Sequence, residues 1–260
     1  MKIANANRVR NAEMRIFMDR TVLITGASAG IGRAIAATFA QNGYQLVITC
    51  RKSEPELLQL KNELEQNYAA AILTSIGDIS DYSYVEKLFC EINRRFGGID
   101  ILVNNAGISY IGLLHEMSLD DWTRIVNTNL TAVFSTCKLS IPLMLKKKKG
   151  KIINISSVWG NVGASCEVAY SACKGGVNAF TKALAKELAP SNIQVNAIAL
   201  GAIDTRMNAV FSEEELQTLK DEIPVGRLGT PREAALLTRQ IAESSEYLTG
   251  QIITLDGGWT

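Results

Sequence analysis

From residue 19 onward the chain alternates short apolar runs with longer stretches in which apolar residues recur at helical spacing. The short runs predict strands over Thr21–Thr25, Gln45–Thr49, Ala71–Ile76, Ile101–Asn104, Lys151–Ile155, Gln194–Ala199 and Gln251–Leu255. The long stretches predict helices over Gly32–Asn42, Glu54–Asn67, Tyr82–Phe96, Asp120–Lys148, Tyr170–Leu188 and Pro231–Ala242. Strands that alternate with helices are the mark of repeated βαβ units, so the expected fold is α/β, a doubly wound parallel sheet. No linker divides the pattern, which makes 19–260 a single domain. Residues 1–18 lack it. There Lys2, Arg8, Arg10 and Arg15 stand against Glu13 with no apolar run of the kind a secretory signal needs, and Met18 directly precedes the first strand. These residues are expected to be an N-terminal extension.

The turns after the strands carry the candidate chemistry. The first strand runs into Thr25-Gly26-Ala27-Ser28-Ala29-Gly30-Ile31-Gly32-Arg33. Glycines 26, 30 and 32 permit a tight turn and a close backbone approach, and the helix that follows points its N-terminus to the same place, where a pyrophosphate is received. The spacing is G-x-x-x-G-x-G, a departure from the G-x-G-x-x-G fingerprint. The second strand ends in Arg51-Lys52-Ser53, where an acid would bind the 2'-hydroxyl of an NAD ribose. Arg51, with Lys52 and Ser28, offers charge and a donor to a 2'-phosphate instead, so the expected cofactor is NADP (NADPH). A solvated end-of-strand charge is the other use of Arg51. Asp78, after the third strand, is placed either to accept from the adenine amino group or to cap a helix beside Ser80 and Asp81.

Tyr170 and Lys174 stand four residues apart in Val168-Ala169-Tyr170-Ser171-Ala172-Cys173-Lys174, on one face of a helix. A phenol beside a fixed positive charge can fall below its ordinary pKa of about 10 and exchange a proton near neutrality. By itself the pair is more simply an amphipathic helix with a buried tyrosine and a solvated lysine. The order of motifs changes that. Thr25 to Gly32, Asn104-Asn105-Ala106-Gly107 after the fourth strand, Ser157 after the fifth, and Tyr170 with Lys174 together resemble the short-chain dehydrogenase/reductase family, from about residue 19 to the C-terminus.

The resemblance implies a Rossmann-type fold with a seven-stranded parallel sheet and helices on both faces, commonly assembled as a homotetramer. It implies a catalytic set of Asn129, Ser157, Tyr170 and Lys174. Tyr170 would give a proton to the substrate carbonyl oxygen and Ser157 would hydrogen-bond the same oxygen. Lys174 would hold the nicotinamide ribose and lower the tyrosine pKa, and Asn129 would hold a water leading to solvent. Two of these choices rest on the resemblance: Asn129 over Asn127, and Ser157 over Ser156, since strand alternation says only that the two serines face opposite ways. The implied cofactor set is Gly26, Ser28, Gly30, Ile31 and Gly32 in the turn; Arg51, Asp78 and Ile79 at the adenosine; Asn105, Ala106 and Gly107 after the fourth strand; Tyr170 and Lys174; and Ile203 and Thr205 after the sixth. In that last loop Leu200-Gly201 stands where the family has Pro-Gly, which gives up a fixed φ but no polar ligand.

On the substrate side, residues 206–228 are expected to form a lid. Within the family, Ile223-Pro224-Val225-Gly226-Arg227-Leu228-Gly229 and the ending Leu248 to Gly258 resemble the 3-oxoacyl-acyl-carrier-protein reductases of fatty acid synthesis. Many sugar, alcohol and steroid dehydrogenases share such endings. The implied reaction is NADPH-dependent reduction of a 3-oxoacyl thioester. A sugar, polyol or small ketone is the alternative substrate, and a nucleotide-sensing module without catalysis is the reading from another class.

Composition removes further classes. The chain has 260 residues, 47% hydrophobic and 20% charged, enough for one large core, and its net charge of +1 argues for no nucleic-acid or membrane partner. The most apolar helical region, Ala132 to Leu145, is broken by Lys138. The concentrated charge is Lys146 to Lys149, which either complements a helix dipole or, with Lys151, docks an acidic acyl carrier protein. Five cysteines, at 50, 90, 137, 166 and 173, make neither a disulfide framework nor a metal site, and a reducing cytoplasm is expected. The single histidine, His115, is expected in a loop and excludes His-based triads.

Overall fold

Seven parallel strands lie in the order β3-β2-β1-β4-β5-β6-β7 in the computed structural model, which describes residues 20–206 and 212–260. The expected extension 1–18 and residues 207–211 of the expected lid fall outside the described residues. The strands are β1 (Thr21–Ile24), β2 (Gln45–Cys50), β3 (Ile72–Ile76), β4 (Ile101–Asn104), β5 (Gly150–Ser157), β6 (Ile193–Leu200) and β7 (Ile252–Leu255). The chain winds outward from β1 to β3, then returns to lay β4 against the other side of β1, with Val22, Leu23 and Ile24 paired to Ile101, Leu102 and Val103. That reversal opens a crevice beyond the strand ends, where ligands of doubly wound sheets bind.

Central strands are buried on both faces, which is why they read as apolar runs rather than alternating ones. Val22 and Ile24 face one core with Ile48, Ile153 and Ile198, while Leu23 faces the other with Val47, Leu102 and Ile152. Helices α1 (Gly30–Gln41) and α2 (Glu54–Tyr68) cover the first face through Ile35, Phe39, Leu57 and Leu60. Helix α3 (Tyr82–Phe96) covers the second through Val85, Leu88 and Ile92, at the i, i+3, i+7 spacing of an amphipathic helix.

The expected helix Asp120–Lys148 is three pieces: α4 (Leu119–Val126), a π-helical turn Asn127–Thr131, and α5 (Ala132–Lys147). Ser118 caps α4 by accepting from Asp121 N. A π turn adds one residue without breaking the helical path, so sequence periodicity does not register it. Three short elements also went unforeseen: the 3-10 turns Leu114–Glu116, which holds exposed His115, and Ala189–Ser191, and α6 (Trp159–Val162). Helix α7 (Val168–Leu188) carries the tyrosine and lysine. Within the expected lid, α8 (Glu213–Glu222) starts from a Ser212/Glu215 capping box. Helix α9 (Pro231–Ala242) returns to the first face through Ala234, Ala235 and Ile241.

The lysine run ends α5, with Lys146 and Lys147 in its last turn and Lys147 Nζ 3.0 Å from Asp100 Oδ1. The carrier-docking expectation for Lys151 does not hold. This side chain is 4% exposed and its Nζ donates to the Ser244 and Ser245 carbonyls (3.0 and 3.4 Å), just past the end of α9. The run stands at the N-terminal edge of the sheet, next to the start of β5, whereas Ser157 stands at its far end. Eight residues of strand, about 3.3 Å each, separate the two. Among the described residues no acid, thiol or imidazole group could hold a metal, no disulfide forms, and no helix is long and apolar enough to cross a membrane.

Candidate active site

The glycine turn is fixed by β4 from below. Thr25 Oγ1 accepts from Asn105 N (3.0 Å) and Ala106 N (2.9 Å), and Asn105 Nδ2 donates to the carbonyls of Thr25 (2.9 Å) and Gly26 (3.1 Å). Gly26 has a φ of 68°, and a Cβ on Gly32 would run into the Gly26 carbonyl and lie 2.6 Å from the Asn105 amide. The turn therefore needs glycine at 26 for its backbone angle and at 32 for space. Helix α1 begins beyond Ala29 with no side-chain cap, so its first N–H groups remain for a ligand.

At the end of β2, Arg51 Nη1 lies 3.6 Å from Asp78 Oδ2. Asp78 also accepts from Ser80 N (2.9 Å) and Ser80 Oγ (2.7 Å). Burial pushes this carboxyl up, but the Ser80 hydrogen bonds and the Arg51 charge outweigh it and hold the pKa below the ordinary range. Of its two expected uses, Asp78 is thus engaged within its own loop, while Asp81 caps α3 by accepting from Ser83 N.

β5 delivers the two serines, and the structure separates them. Ser156 Oγ donates to Asn178 Oδ1 (2.6 Å) on α7. Ser157 lines the cleft with Tyr170, its hydroxyl near enough to draw the phenol's pKa down, and its Oγ accepts from Trp159 N (3.2 Å). Lys174 Nζ sits 5.4 Å from the centroid of the Tyr170 ring and donates to the Ile155 carbonyl (2.8 Å). Burial, at 4% exposure, pushes the lysine down to about 8.

The expected lowering of the tyrosine by Lys174 does not occur in the protein alone. Burial pushes the Tyr170 phenol up, the Glu167 carboxylate adds to that, and the nearby Ser157 hydroxyl only partly opposes it. The ammonium that was expected to offset this is itself desolvated and committed to a backbone carbonyl.

Asn129 lies in the π turn at 1% exposure and clamps the loop after β4. Its Oδ1 accepts from Ile108 N (3.1 Å), and its Nδ2 donates to the carbonyls of Ile108 (2.9 Å) and Ile125 (3.0 Å). A Cβ on Gly107 would lie 2.8 Å from Asn129 Oδ1 and 3.8 Å from Lys174 Nζ, so the three meet at one corner. Asn127, its rival, instead meets the Thr131 hydroxyl at 3.4 Å.

After β6, Ile203 is buried and bridges to Gly229, and a Cβ on Gly30 would lie 3.4 Å from the Thr205 methyl. Leu200 needs no proline ring to hold its place, because its carbonyl accepts from Val158 N (2.9 Å) and Gly201 N donates to Leu255 O (3.0 Å). Every expected site residue except Asn129 lines one cleft of about 910 Å³. Three residues that sequence reasoning missed line it too: Trp159 and Trp259, in edge contact at 4.8 Å between ring centroids, and Glu167. Asp256 anchors the stretch around Trp259 by accepting from Gly258 N and Thr260 N, both at 2.9 Å.

A Rossmann-type sheet with a glycine turn at its switch point and a serine–tyrosine pair beside a buried lysine defines a nucleotide-dependent oxidoreductase. The family model for short chain dehydrogenase matches residues 20–216, and the chain belongs to that family. It is accordingly an oxidoreductase that works between carbonyl and alcohol with a nicotinamide dinucleotide. Among curated proteins it is 39% identical over 243 residues to the uncharacterized oxidoreductase YmfI of Bacillus subtilis, covering 93% of this chain and 99% of that one. It is 42% identical over 237 residues to the 3-oxoacyl-[acyl-carrier-protein] reductase FabG of Aquifex aeolicus, covering 91% and 95%. Among solved structures, YwfH, an NADPH dependent reductase involved in bacilysin biosynthesis, superposes with a TM-score of 0.88 at 28% identity, covering 93% of this chain and 98% of that one.

Proposed function

We propose that this protein is an NADPH-dependent reductase of 3-oxoacyl thioesters, forming the 3-hydroxyacyl product in fatty acid synthesis. In this reading residues 19–260 act as one catalytic domain, in a cytoplasmic homotetramer, and the acyl group is presented by an acyl carrier protein. The observation that carries it is the convergence of Ser157, Tyr170 and buried Lys174 in the same cleft as the glycine turn, with the Lys174 ammonium 5.4 Å from the Tyr170 ring centroid. The 42% identity to a 3-oxoacyl-[acyl-carrier-protein] reductase supports the choice of substrate.

The residues fit the cofactor. Gly26 and Gly32 leave room for a pyrophosphate at the start of α1, Arg51 and Lys52 supply the charge for a 2'-phosphate, and Asn105 to Gly107, Ile203 and Thr205 line the rest of its path. Ser28, Gly30, Ile31, Asp78 and Ile79 complete that lining. When bound, NADPH supplies the hydride that reaches the carbonyl carbon.

The chain's own residues then handle the charge that develops on the carbonyl oxygen. Tyr170 donates its phenolic proton to that oxygen, a role suited to a phenol whose burial keeps it protonated at neutral pH. The Ser157 hydroxyl, in the same lining as the phenol, steadies the same oxygen. Lys174 holds the ribose hydroxyls and, as a cation, favours release of the tyrosine proton; Asn129 keeps the corner by Gly107 in place.

A second reading, reduction of a small ketone or sugar that no carrier delivers, draws on the lysine run, which stands at the opposite edge of the sheet from the cleft. Turnover of NADPH and NADH with acetoacetyl thioesters, sugars and small ketones separates the two. Preference for the thioester with NADPH supports the first reading, and preference for a carrier-free ketone or for NADH overturns it.

A further inference from the structure

The substrate end of the cleft carries a carboxylate that the proposed reaction does not use. Glu167 is the N-cap residue of α7, one turn before Tyr170, and lines the same cleft. Its charge reaches the phenol, whose pKa it raises. Burial pushes the Glu167 carboxyl itself upward, and the neighbouring Trp159 side chain partly opposes this. A carboxylate has about four lone-pair positions, which Glu167 offers to the cleft.

Trp159, in the same lining, is backed edge-on by Trp259. Of the cationic side chains in the cleft, Arg51 and Lys52 stand at the adenosine end, and the Lys174 ammonium beside Tyr170 donates to Ile155 O. Glu222, at the end of α8, adds a second acid to the lining.

We propose that Glu167, which shares the cleft wall with Trp159, is a specificity-determining residue that turns the cleft toward 3-oxo esters and thioesters that are neutral or cationic near the reacting carbonyl, and away from free 3-oxo acids. This rests on the ketone-reductase reading above and narrows its substrate. A free 3-oxo acid carries its carboxylate two bonds from the carbonyl carbon. With that carbonyl on Tyr170 and Ser157, the substrate charge lies at the end of the cleft where Glu167 stands one turn before Tyr170. Repulsion there in a partly dehydrated cleft costs about tenfold or more in affinity. An ester or thioester has no such charge to repel, and an ammonium group on the ester arm would be attracted by Glu167 and by the aromatic faces.

The test uses the full-length protein with NADPH and three 3-oxo substrates of one skeleton: acetoacetate, ethyl acetoacetate and 2-(dimethylamino)ethyl acetoacetate. The expected kcat/KM for acetoacetate is about tenfold or more below that for ethyl acetoacetate, with the cationic ester equal to or above the neutral one, and most of the difference in KM. In Glu167→Gln the acid rises to within about threefold of the neutral ester. Tryptophan fluorescence titrated with the same compounds gives the affinities without turnover, and a circular dichroism melt verifies that the variant is folded.

An acid-to-ester ratio that is the same in the wild type and in Glu167→Gln overturns the proposal, as does a wild-type preference for acetoacetate. If no 3-oxo ester is reduced, the substrate reading above falls. The same comparison, made on a ketone that is reduced with and without a carboxylate beside its carbonyl, then still decides the role of Glu167.

Discussion

The two ends of the cleft are built from different materials. The cofactor end is mostly backbone: the turn at Gly26 to Gly32 and the N-terminus of α1, tied to the Asn105 loop through the Thr25 hydroxyl. The substrate end is mostly side chains from distant parts of the chain, with Trp159 after β5, Glu167 before α7, Leu219 on α8 and Trp259 after β7. A backbone site tolerates only the residues its angles and spacings allow, so it leaves a pattern in the sequence. A side-chain site can be lined by many residue types, and its specificity changes when any one of them does. The lesson is that the chemistry of this enzyme is written at the first end and its substrate at the second.

The sharpest way to break this contrast lies at the point where the ends meet. Tyr170→Phe removes the proton donor and is expected to lower kcat for ketone reduction by about 100-fold or more, with the affinity for NADPH in a binding titration little changed. Equal losses of turnover and cofactor affinity would mean that the tyrosine serves the cofactor end alone. Next comes Gly32→Ala, whose Cβ would meet the Gly26 carbonyl, a backbone group with nowhere to move. It is expected to destabilise the fold by about 1–3 kcal/mol in denaturant melts and to weaken NADPH binding as well.

Arg51→Ala should raise the KM for NADPH by about tenfold while leaving the KM for NADH nearly unchanged, because only the former has a 2'-phosphate to pair. A smaller effect is expected from pH. Lys174 is pushed down to about 8, so its ammonium is complete well below that value and is lost as pH rises through it. Reductive kcat/KM is expected to decline through about pH 8, and a flat profile there would place the lysine outside the reaction. The smallest effect is expected from replacing Lys146, Lys148 and Lys149 by serine. Turnover of a free acetoacetyl thioester should stay within about twofold, since these side chains lie at the far edge of the sheet.

Much of the fold could be read from the sequence because both signals that define it are local. A central parallel strand is apolar on both faces, and helices α1 and α3 carry apolar stripes at regular spacing, so strands and helices announce themselves. The π turn at Asn127–Thr131 did not, since a one-residue insertion keeps the helical path. That turn sets where Asn129 points, so the resemblance alone could choose it over Asn127.

The choice between Ser156 and Ser157 was of the same kind. Alternation says the two face apart, and only the position of α7 says which one meets Tyr170. Lys151 misled for a related reason. In the sequence it is one more base beside a lysine run, and its burial under the carbonyls of Ser244 and Ser245 depends on a contact across more than ninety positions. The tyrosine's upward shift also escaped, because a neighbouring lysine is visible in a sequence while the water removed from around a phenol is not.

The Thr25 hydroxyl, which receives two N–H groups from across the sheet, also bears on how the cofactor arrives. It joins the outward-winding half of the fold to the returning half where the strand order reverses, between β1 and β4. With that bond made and Asn105 bound to the turn's own carbonyls, the floor of the cleft has little conformational freedom left to lose. The entropy cost of seating a dinucleotide then falls on the dinucleotide, and the protein at that end serves as a rigid template rather than a partner that folds around its ligand.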